Sequence, residues 1–190
     1  MKQLWMLVGG NGSGKSTFYE QMLKPKGVPF INADIIAKEA FPDDPVSNSH
    51  KAARIAEELR FEKLRQGNSF CFETVFSHVS KIDFIATAKA TGYQVILVFI
   101  HVGNTDLNQA RVSQRVFDGG HAVPADKILS RIPRTLDNVK AAIPLCDEVH
   151  MLDNSRLDDP FKRVISIING QITAGANASL PHWVLPLIGE

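Results

Sequence analysis

The chain has 190 residues, 44% of them hydrophobic, and a formal net charge of +1. That length suits one α/β domain over residues 1–190, with a sizeable core and little room for a second. Near-neutrality argues against a strongly electrostatic nucleic-acid or membrane surface. The first apolar run, Leu4 to Val8, is too short for a signal peptide or membrane span, so the expected location is the cytoplasm.

In chain order, Leu4 to Val8 reads as a buried strand that runs into a glycine-rich loop, and Ser16 to Leu23 as the helix after it. Phe30-Ile31-Asn32 is a short second strand, with Asp34 just beyond. Val46 to Gln66 places Ala53, Ala56, Leu59 and Leu64 near helical spacing, which predicts a long amphipathic helix closed by Gly67-Asn68. Ser69 to Phe72 is a third strand with Glu73 and Thr74 at its C-terminal edge. Ser77 is the expected N-cap of a helix that reaches about Thr91 and ends at Gly92. Tyr93 to Ile100 is a near-continuous apolar run, as a strand buried on both faces requires. A helix over Thr105 to about Phe117 and another over Ala125 to Ala142, with Pro133 as a kink or restart, flank Asp118-Gly119-Gly120-His121. Glu148 to Leu152 is a fifth strand. Asn169-Gly170 between two apolar runs is a type I′ turn signal, so a closing hairpin and packed tail are expected over 160–190. Cys71 and Cys146 sit in apolar, strand-like runs as small hydrophobes.

Gly9 to Thr17 fits G-x-x-x-x-G-K-[ST]. In such a loop, backbone N–H groups from Gly10, Asn11, Gly12, Ser13 and Gly14 turn inward around phosphate oxygens. Lys15 sets a point charge against the β- and γ-phosphates, and Ser16, followed by Thr17, offers a hydroxyl to Mg²⁺. ATP and Mg²⁺ are therefore the expected cofactors. Strands alternating with helices imply a parallel sheet whose ligands bind beyond the strands' carboxyl ends. Asp34, Glu73 and Asp153 all fall on that rim.

Several nucleotide-binding classes are disfavoured. The strand Val95 to Ile100 ends in His101-Val102-Gly103, without the consecutive acids of motor and transporter ATPases, and no N-K-x-D element reads guanine. Arg111 and Arg115 share a helix face, ahead of a Gly119-Gly120 hinge and then Arg131 and Arg134. Four arginines around a loop suit phosphoryl transfer, whose catalysis is mostly charge stabilisation and positioning. Nucleoside-monophosphate kinases carry a similar R-x-x-x-R pair ahead of their lid.

The ordered set Gly9–Thr17, Asn32-Ala33-Asp34, Phe72-Glu73-Thr74, Arg111 to Val116, Gly119-Gly120-His121-Ala122-Val123-Pro124, Arg131-Ile132-Pro133-Arg134 and Asp153-Asn154-Ser155 resembles the zeta-toxin-like ATPase/kinase family over roughly residues 3 to 156. The G-G-H-x-V-P element is most similar to a stand-alone bacterial branch. The resemblance implies a P-loop kinase-like three-layer α/β sandwich with a central parallel five-stranded sheet and an arginine-bearing lid over about 115–135. It also implies transfer of the γ-phosphoryl group of ATP to a hydroxyl of a small acceptor, which is a UDP-N-acetylsugar in the better-understood members. By position, Lys15 and Ser16 match the loop lysine and Mg²⁺ ligand. Asp34 matches the acid that takes the acceptor's proton, and Glu73, beside Thr74, an acid that helps hold the acceptor. Arg115 and one of Arg131 or Arg134 match the lid arginines, and Arg111 faces the nucleotide. This chain is shorter than the toxins, and no sugar-binding set beyond Glu73 can be matched.

Other readings stay open. Asp34 also suits an N-cap for a helix from Ile35, or an Mg²⁺ contact through water. Glu73 suits a solvated strand end, and Gly119 a helix C-cap. His121 reads as a loop-stabilising residue, and Asn154 as either a turn residue or an adenine-edge contact. The alternative function is an ATP-binding regulatory or toxin–antitoxin module with slow hydrolysis and an antitoxin-like partner. A nucleic-acid-processing ATPase is disfavoured by charge and by the missing acid pair.

Overall fold

The alternation of apolar residues in β1 (Gln3–Val8) decides the layering: Leu4, Met6 and Val8 enter one core, Leu7 the other, with Trp5 packed against it. β4 (Gln94–His101) repeats the pattern, sending Val95, Leu97 and Phe99 one way and Ile96, Val98 and Ile100 the other. A strand with a two-residue period and both faces apolar must be covered on both sides.

The computed structural model describes residues 1–117, 124–174 and 180–189. The remaining strands are β2 (Phe30–Ile31), β3 (Phe70–Thr74), β5 (Glu148–Asp153), β6 (Lys162–Ile168) and β7 (Gln171–Ala174). All seven join one sheet in the order β2-β3-β1-β4-β5-β6-β7. The first five in that order are parallel, as expected. The closing hairpin β6–β7 extends the same sheet antiparallel from β5. Asn169 at φ 51° and Gly170 at φ 75° give the two positive φ values a type I′ turn needs.

The helices are α1 (Lys15–Phe18), α2 (Ala33–Ala40), α3 (Ser49–Gln66), α4 (Ser80–Ala90), α5 (Thr105–Phe117), α6 (Ala125–Ala142) and α7 (Leu185–Ile188). Residues of α3, α4, α6 and α7 fill the first core, and Phe18, Tyr19 and Leu23 fill the second. β1 lies between β3 and β4. The chain leaves β1 toward β2 and β3, then crosses back to β4, which opens a crevice above β1 and β3.

Four local expectations are corrected. The first helix is α-helical only to Phe18, then a π-turn over Tyr19–Leu23 and a 3₁₀ turn over Lys24–Lys26; Pro25 has no N–H for the carbonyl four residues back, so the ladder changes pitch. α3 starts at Ser49, after turns through Pro42 and Pro45 in which Asp44 Oδ1 accepts the Ser47 N–H. Its buried stripe is Ala52, Ala56, Arg60 and Leu64, one residue out of phase with the expected one at its start. α4 starts at Ser80, not after a Ser77 cap, because residues 75–79 form a rim loop. In that loop Phe76 takes φ 64° with its ring buried. α6 is continuous through the exposed Pro133, so no separate helix restarts there. Trp183 packs edge-on to Phe99 and against His101, holding the tail to the body as expected. Among the described residues no helix is long and apolar enough to cross a membrane.

Candidate nucleotide and acceptor site

The loop after β1 is held open by close packing. The Gly9 N–H donates to the Thr74 carbonyl at 3.3 Å, which ties the loop to the rim of β3. Gly9 has φ 154°, and a Cβ there would stand 2.2 Å from the Ile100 carbonyl oxygen. Gly14 has φ 99°, and its Cβ would stand 2.5 Å from Asn154 Nδ2. Only glycine meets both demands. Lys15, largely buried, donates from Nζ to the carbonyls of Gly9 and Gly10 at 3.0 and 2.9 Å, inside the curve where phosphate oxygens belong.

Two side chains brace this loop from behind. Asn154, 7% exposed, donates to the Ser13 carbonyl at 2.9 Å and accepts the Phe161 N–H at 3.3 Å. Asn108, 3% exposed, donates to the Asn11 carbonyl at 2.8 Å. Asn154 thus braces the loop while also lining the first cleft. Arg111 is anchored with it, donating from Nη1 to the Asn154 carbonyl at 2.9 Å.

Two clefts open on either side of the loop. One, of about 490 Å³, is walled by the loop from Gly12 to Thr17 with Arg111, Gln114, Arg156 and Phe161. The other, of about 400 Å³, is walled by Asn11, Asp34, Thr74, Lys127 and Arg131, with His50 at its edge. Lys15 and Glu73 line both.

In the second cleft, Asp34 does not cap its helix. The cap is Asn32, whose Oδ1 accepts the N–H groups of Asp34 and Ile35 at 2.7 and 3.2 Å. The Asp34 carboxylate stands exposed at the cleft wall. Glu73 Oε2 accepts the Ser16 hydroxyl at 2.8 Å, so the β3 acid sits beside the hydroxyl expected on a metal. Arg131 reaches Asn11 Oδ1 from Nη1 at 3.4 Å. Arg134 turns back on its own helix, to the carbonyl and hydroxyl of Ser130, and lines neither cleft. Of the two, Arg131 lines the second cleft and Arg134 does not. The Arg115 side chain, and Gly119, Gly120 and His121, lie outside the described residues.

Sequence reasoning missed the pins that carry Arg131 to the cleft. Thr135 donates to the Val75 carbonyl at 2.8 Å, and Asn138 to the Phe76 carbonyl at 2.8 Å. They fasten α6 to the rim loop one to two turns below Arg131. Lys127, Arg156 and Phe161 were also missed; their only sequence signal was proximity to the arginine cluster and to Asn154.

Among the described residues no group of three or more His, Cys, Asp or Glu side chains could hold a metal alone. The Ser16–Glu73 oxygen pair fits Mg²⁺, which favours one or two protein oxygens completed by water and phosphates. At the end of β4, burial pushes His101 down to about 4, opposed by the charge of Asp153, so it is neutral at pH 7. Burial also raises both thiols, Cys146 to about 12 with the Asp147 charge adding to it, which keeps them protonated.

Residues 4–135 match the AAA domain family. An uncharacterized protein of Haemophilus influenzae is 33% identical over 138 residues, covering 68% of this chain and 97% of its own. A chain of the AvrRxo1-ORF1:AvrRxo1-ORF2 complex with ATP superposes with TM-score 0.71 and 21% identity over 92% of this chain. This chain spans about three fifths of that one, 60%. The PezAT toxin–antitoxin system of Streptococcus pneumoniae gives TM-score 0.62 and 18% identity, covering 80% of this chain and 68% of that one. Shikimate kinase of Bacteroides thetaiotaomicron gives 0.52 and 17%, covering 83% and 89%. At these identities the likeness is one of fold, the P-loop kinase-like α/β fold with a parallel-dominated sheet.

Proposed function

We propose that this chain, which belongs to the AAA domain family, is an ATP-dependent phosphotransferase acting on a hydroxyl of a small acceptor. One observation carries the reading: two clefts of similar size meet at Lys15 and Glu73. A hydrolase needs one nucleotide cleft and a water; a transferase needs two that share the phosphate under transfer. The first cleft takes the nucleotide, with its phosphates in the loop. The second takes the acceptor.

Within this geometry Lys15 leaves the Gly9 and Gly10 carbonyls for the β- and γ-phosphates. Ser16, with Glu73 beside it, holds Mg²⁺, which when bound supplies charge to the phosphate oxygens. Asp34 orients the acceptor hydroxyl and takes its proton as the new O–P bond forms and the bond from the γ-phosphorus to the β-phosphate oxygen breaks, releasing ADP. Arg131 neutralises charge on the transferring group, and Arg115 is assigned the same role from sequence alone. Glu73 thereby moves from holding the acceptor toward holding the metal, with Thr74 left on the acceptor wall. The reading is tested by the transfer product: mass spectrometry after incubation with ATP, Mg²⁺ and a metabolite extract should find a compound gained at the expense of ATP and heavier by one phosphate.

The zeta-toxin-like resemblance favours a nucleotide-sugar acceptor and brings a second reading with it. AvrRxo1-ORF1 was solved with ORF2, and PezAT is a toxin–antitoxin system. A protein partner for this chain follows by that analogy, and it predicts turnover that a co-expressed small partner suppresses.

A further inference from the structure

The rim loop after β3 turns on a residue that ordinary backbone sterics disfavour there. Among the described residues three other than glycine take a positive φ: Asn169 in the type I′ turn, Phe161 beside the first cleft, and Phe76 at φ 64°. Asparagine tolerates that region. A bulky phenylalanine is an outlier in it, and such outliers persist only where their surroundings over-determine them. Phe76 is held in three ways. Its ring is 1% exposed in the first core. Its N–H donates to Thr74 Oγ1 at 3.0 Å, and its carbonyl accepts from the buried Asn138 amide on α6 at 2.8 Å.

The strained turn has a geometric result. Consecutive carbonyls of an extended strand point to opposite sides, yet those of Val75 and Phe76 both meet α6, at Thr135 and Asn138. These two stand three apart on one helix face. Arg131 stands one turn earlier, its carbonyl 2.9 Å from the same Thr135 hydroxyl. On the other side of the turn, the Thr74 carbonyl accepts the Gly9 N–H, and Thr74 and Val75 wall the second cleft. One turn therefore joins the phosphate loop, the cleft wall and the helix that brings Arg131 against Asn11.

We propose that Phe76 is a positioning residue for Arg131: its left-handed backbone, more than its ring, sets where α6 stands over the second cleft. The buried ring and the two hydrogen bonds offset the strain. A residue that resists positive φ would swing the Phe76 carbonyl away from Asn138, and α6 would carry Arg131 off the loop. Glycine accepts that conformation without steric cost. Valine, β-branched, does not. The proposal rests on Arg131 serving the phosphoryl group under transfer.

The test sets Phe76→Gly against Phe76→Val in the full chain, with ADP release measured in ATP, Mg²⁺ and a metabolite extract, below the melting temperature of each. Both variants lose the buried ring and should melt below wild type. Turnover separates them. Phe76→Gly should be about tenfold faster than Phe76→Val at saturating ATP, although glycine leaves the larger cavity. Equal turnover, or the reverse order, would overturn the proposal and mark Phe76 as packing alone. Asn138→Leu removes the donor to the Phe76 carbonyl at similar size, and it gives a second reading should the glycine variant not fold. It should slow turnover by about fivefold in the wild-type background and by less than about twofold in the Arg131→Ala background, because its effect passes through that arginine. Equal slowing in both backgrounds would overturn the proposal as well. Crystal structures decide it without activity: the Arg131 guanidinium should lie against Asn11 in wild type and Phe76→Gly and leave it in Phe76→Val. A wild type that forms no ADP contradicts the transferase reading instead, and an Arg131 unmoved in Phe76→Val would still overturn this one.

Discussion

The clefts proposed for the nucleotide and for the acceptor share Lys15 and Glu73 but are built in opposite ways. The first is made largely by one contiguous loop, whose shape follows from glycine conformations and backbone close to Ile100 and Asn154. The second is assembled from β3 with its rim loop, α2, α3 and α6, and depends on long-range pins such as Thr135 and Asn138. Phosphate is the same in every nucleotide, so a local backbone cradle suffices for it. An acceptor needs a shaped wall, which only several elements together provide.

Changing a shared residue should damage both clefts. Lys15→Ala is expected to reduce turnover by about 10²–10³ or more, because a preorganised charge on the transferring phosphate is lost, with the circular dichroism spectrum unchanged. Turnover near wild type would break the comparison at its centre. Asp34→Asn should act on the acceptor cleft alone. ATP affinity and melting temperature should stay near wild type, since Asn32 caps the helix, while turnover falls by about 10²–10⁴. A large loss of ATP affinity would move Asp34 to the metal. Arg131→Ala should slow turnover by about tenfold to a hundredfold, within the range for lost transition-state charge, whereas Arg134→Ala should leave it within about twofold. Equal effects from the two would contradict their placement.

Much of the nucleotide cleft was legible because its signal is contiguous: loop, preceding strand and following helix lie within about twenty residues. The parallel sheet was legible too, since Tyr93 to Ile100 and its counterparts are apolar on both faces. The second cleft was legible only in part: Asp34, Glu73, Thr74 and Arg131 were singled out from sequence and line it, but what positions them was not. Asn32 rather than Asp34 caps α2, two residues that sequence statistics treat alike. Arg131 and Arg134 are three apart on one helix, and only the pins to Val75 and Phe76 fix which of them faces the cleft. Asn108 and Asn154 act through folded proximity across more than ninety residues.

Asn154→Ala should sharpen the comparison from the nucleotide side. Removing a buried donor that holds the Ser13 carbonyl should destabilise the protein by about 1–3 kcal/mol and weaken ATP binding, with the acceptor's KM unchanged. The smallest effect is expected at His101. Its folded pKa of about 4 lies below the ordinary value near 6.5, so the unfolded chain takes up the proton first. Its contribution to stability is complete above about pH 6.5 and is lost as the pH falls toward 4. His101→Gln should flatten the decline in melting temperature between pH 6.5 and 4.5 while leaving binding at both clefts unaltered. An unchanged slope would show that His101 does not carry the titration.

The central claim is that the two clefts hand one phosphoryl group between them. It is tested most directly by following the γ-phosphate of ATP, labelled with ¹⁸O, in wild type and Asp34→Asn incubated with Mg²⁺ and a metabolite extract. The account predicts that wild type places the label on an organic acceptor in proportion to ADP formed, and that Asp34→Asn binds ATP but makes neither product at an appreciable rate. Label appearing only in free phosphate, at a rate indifferent to the extract, would contradict it.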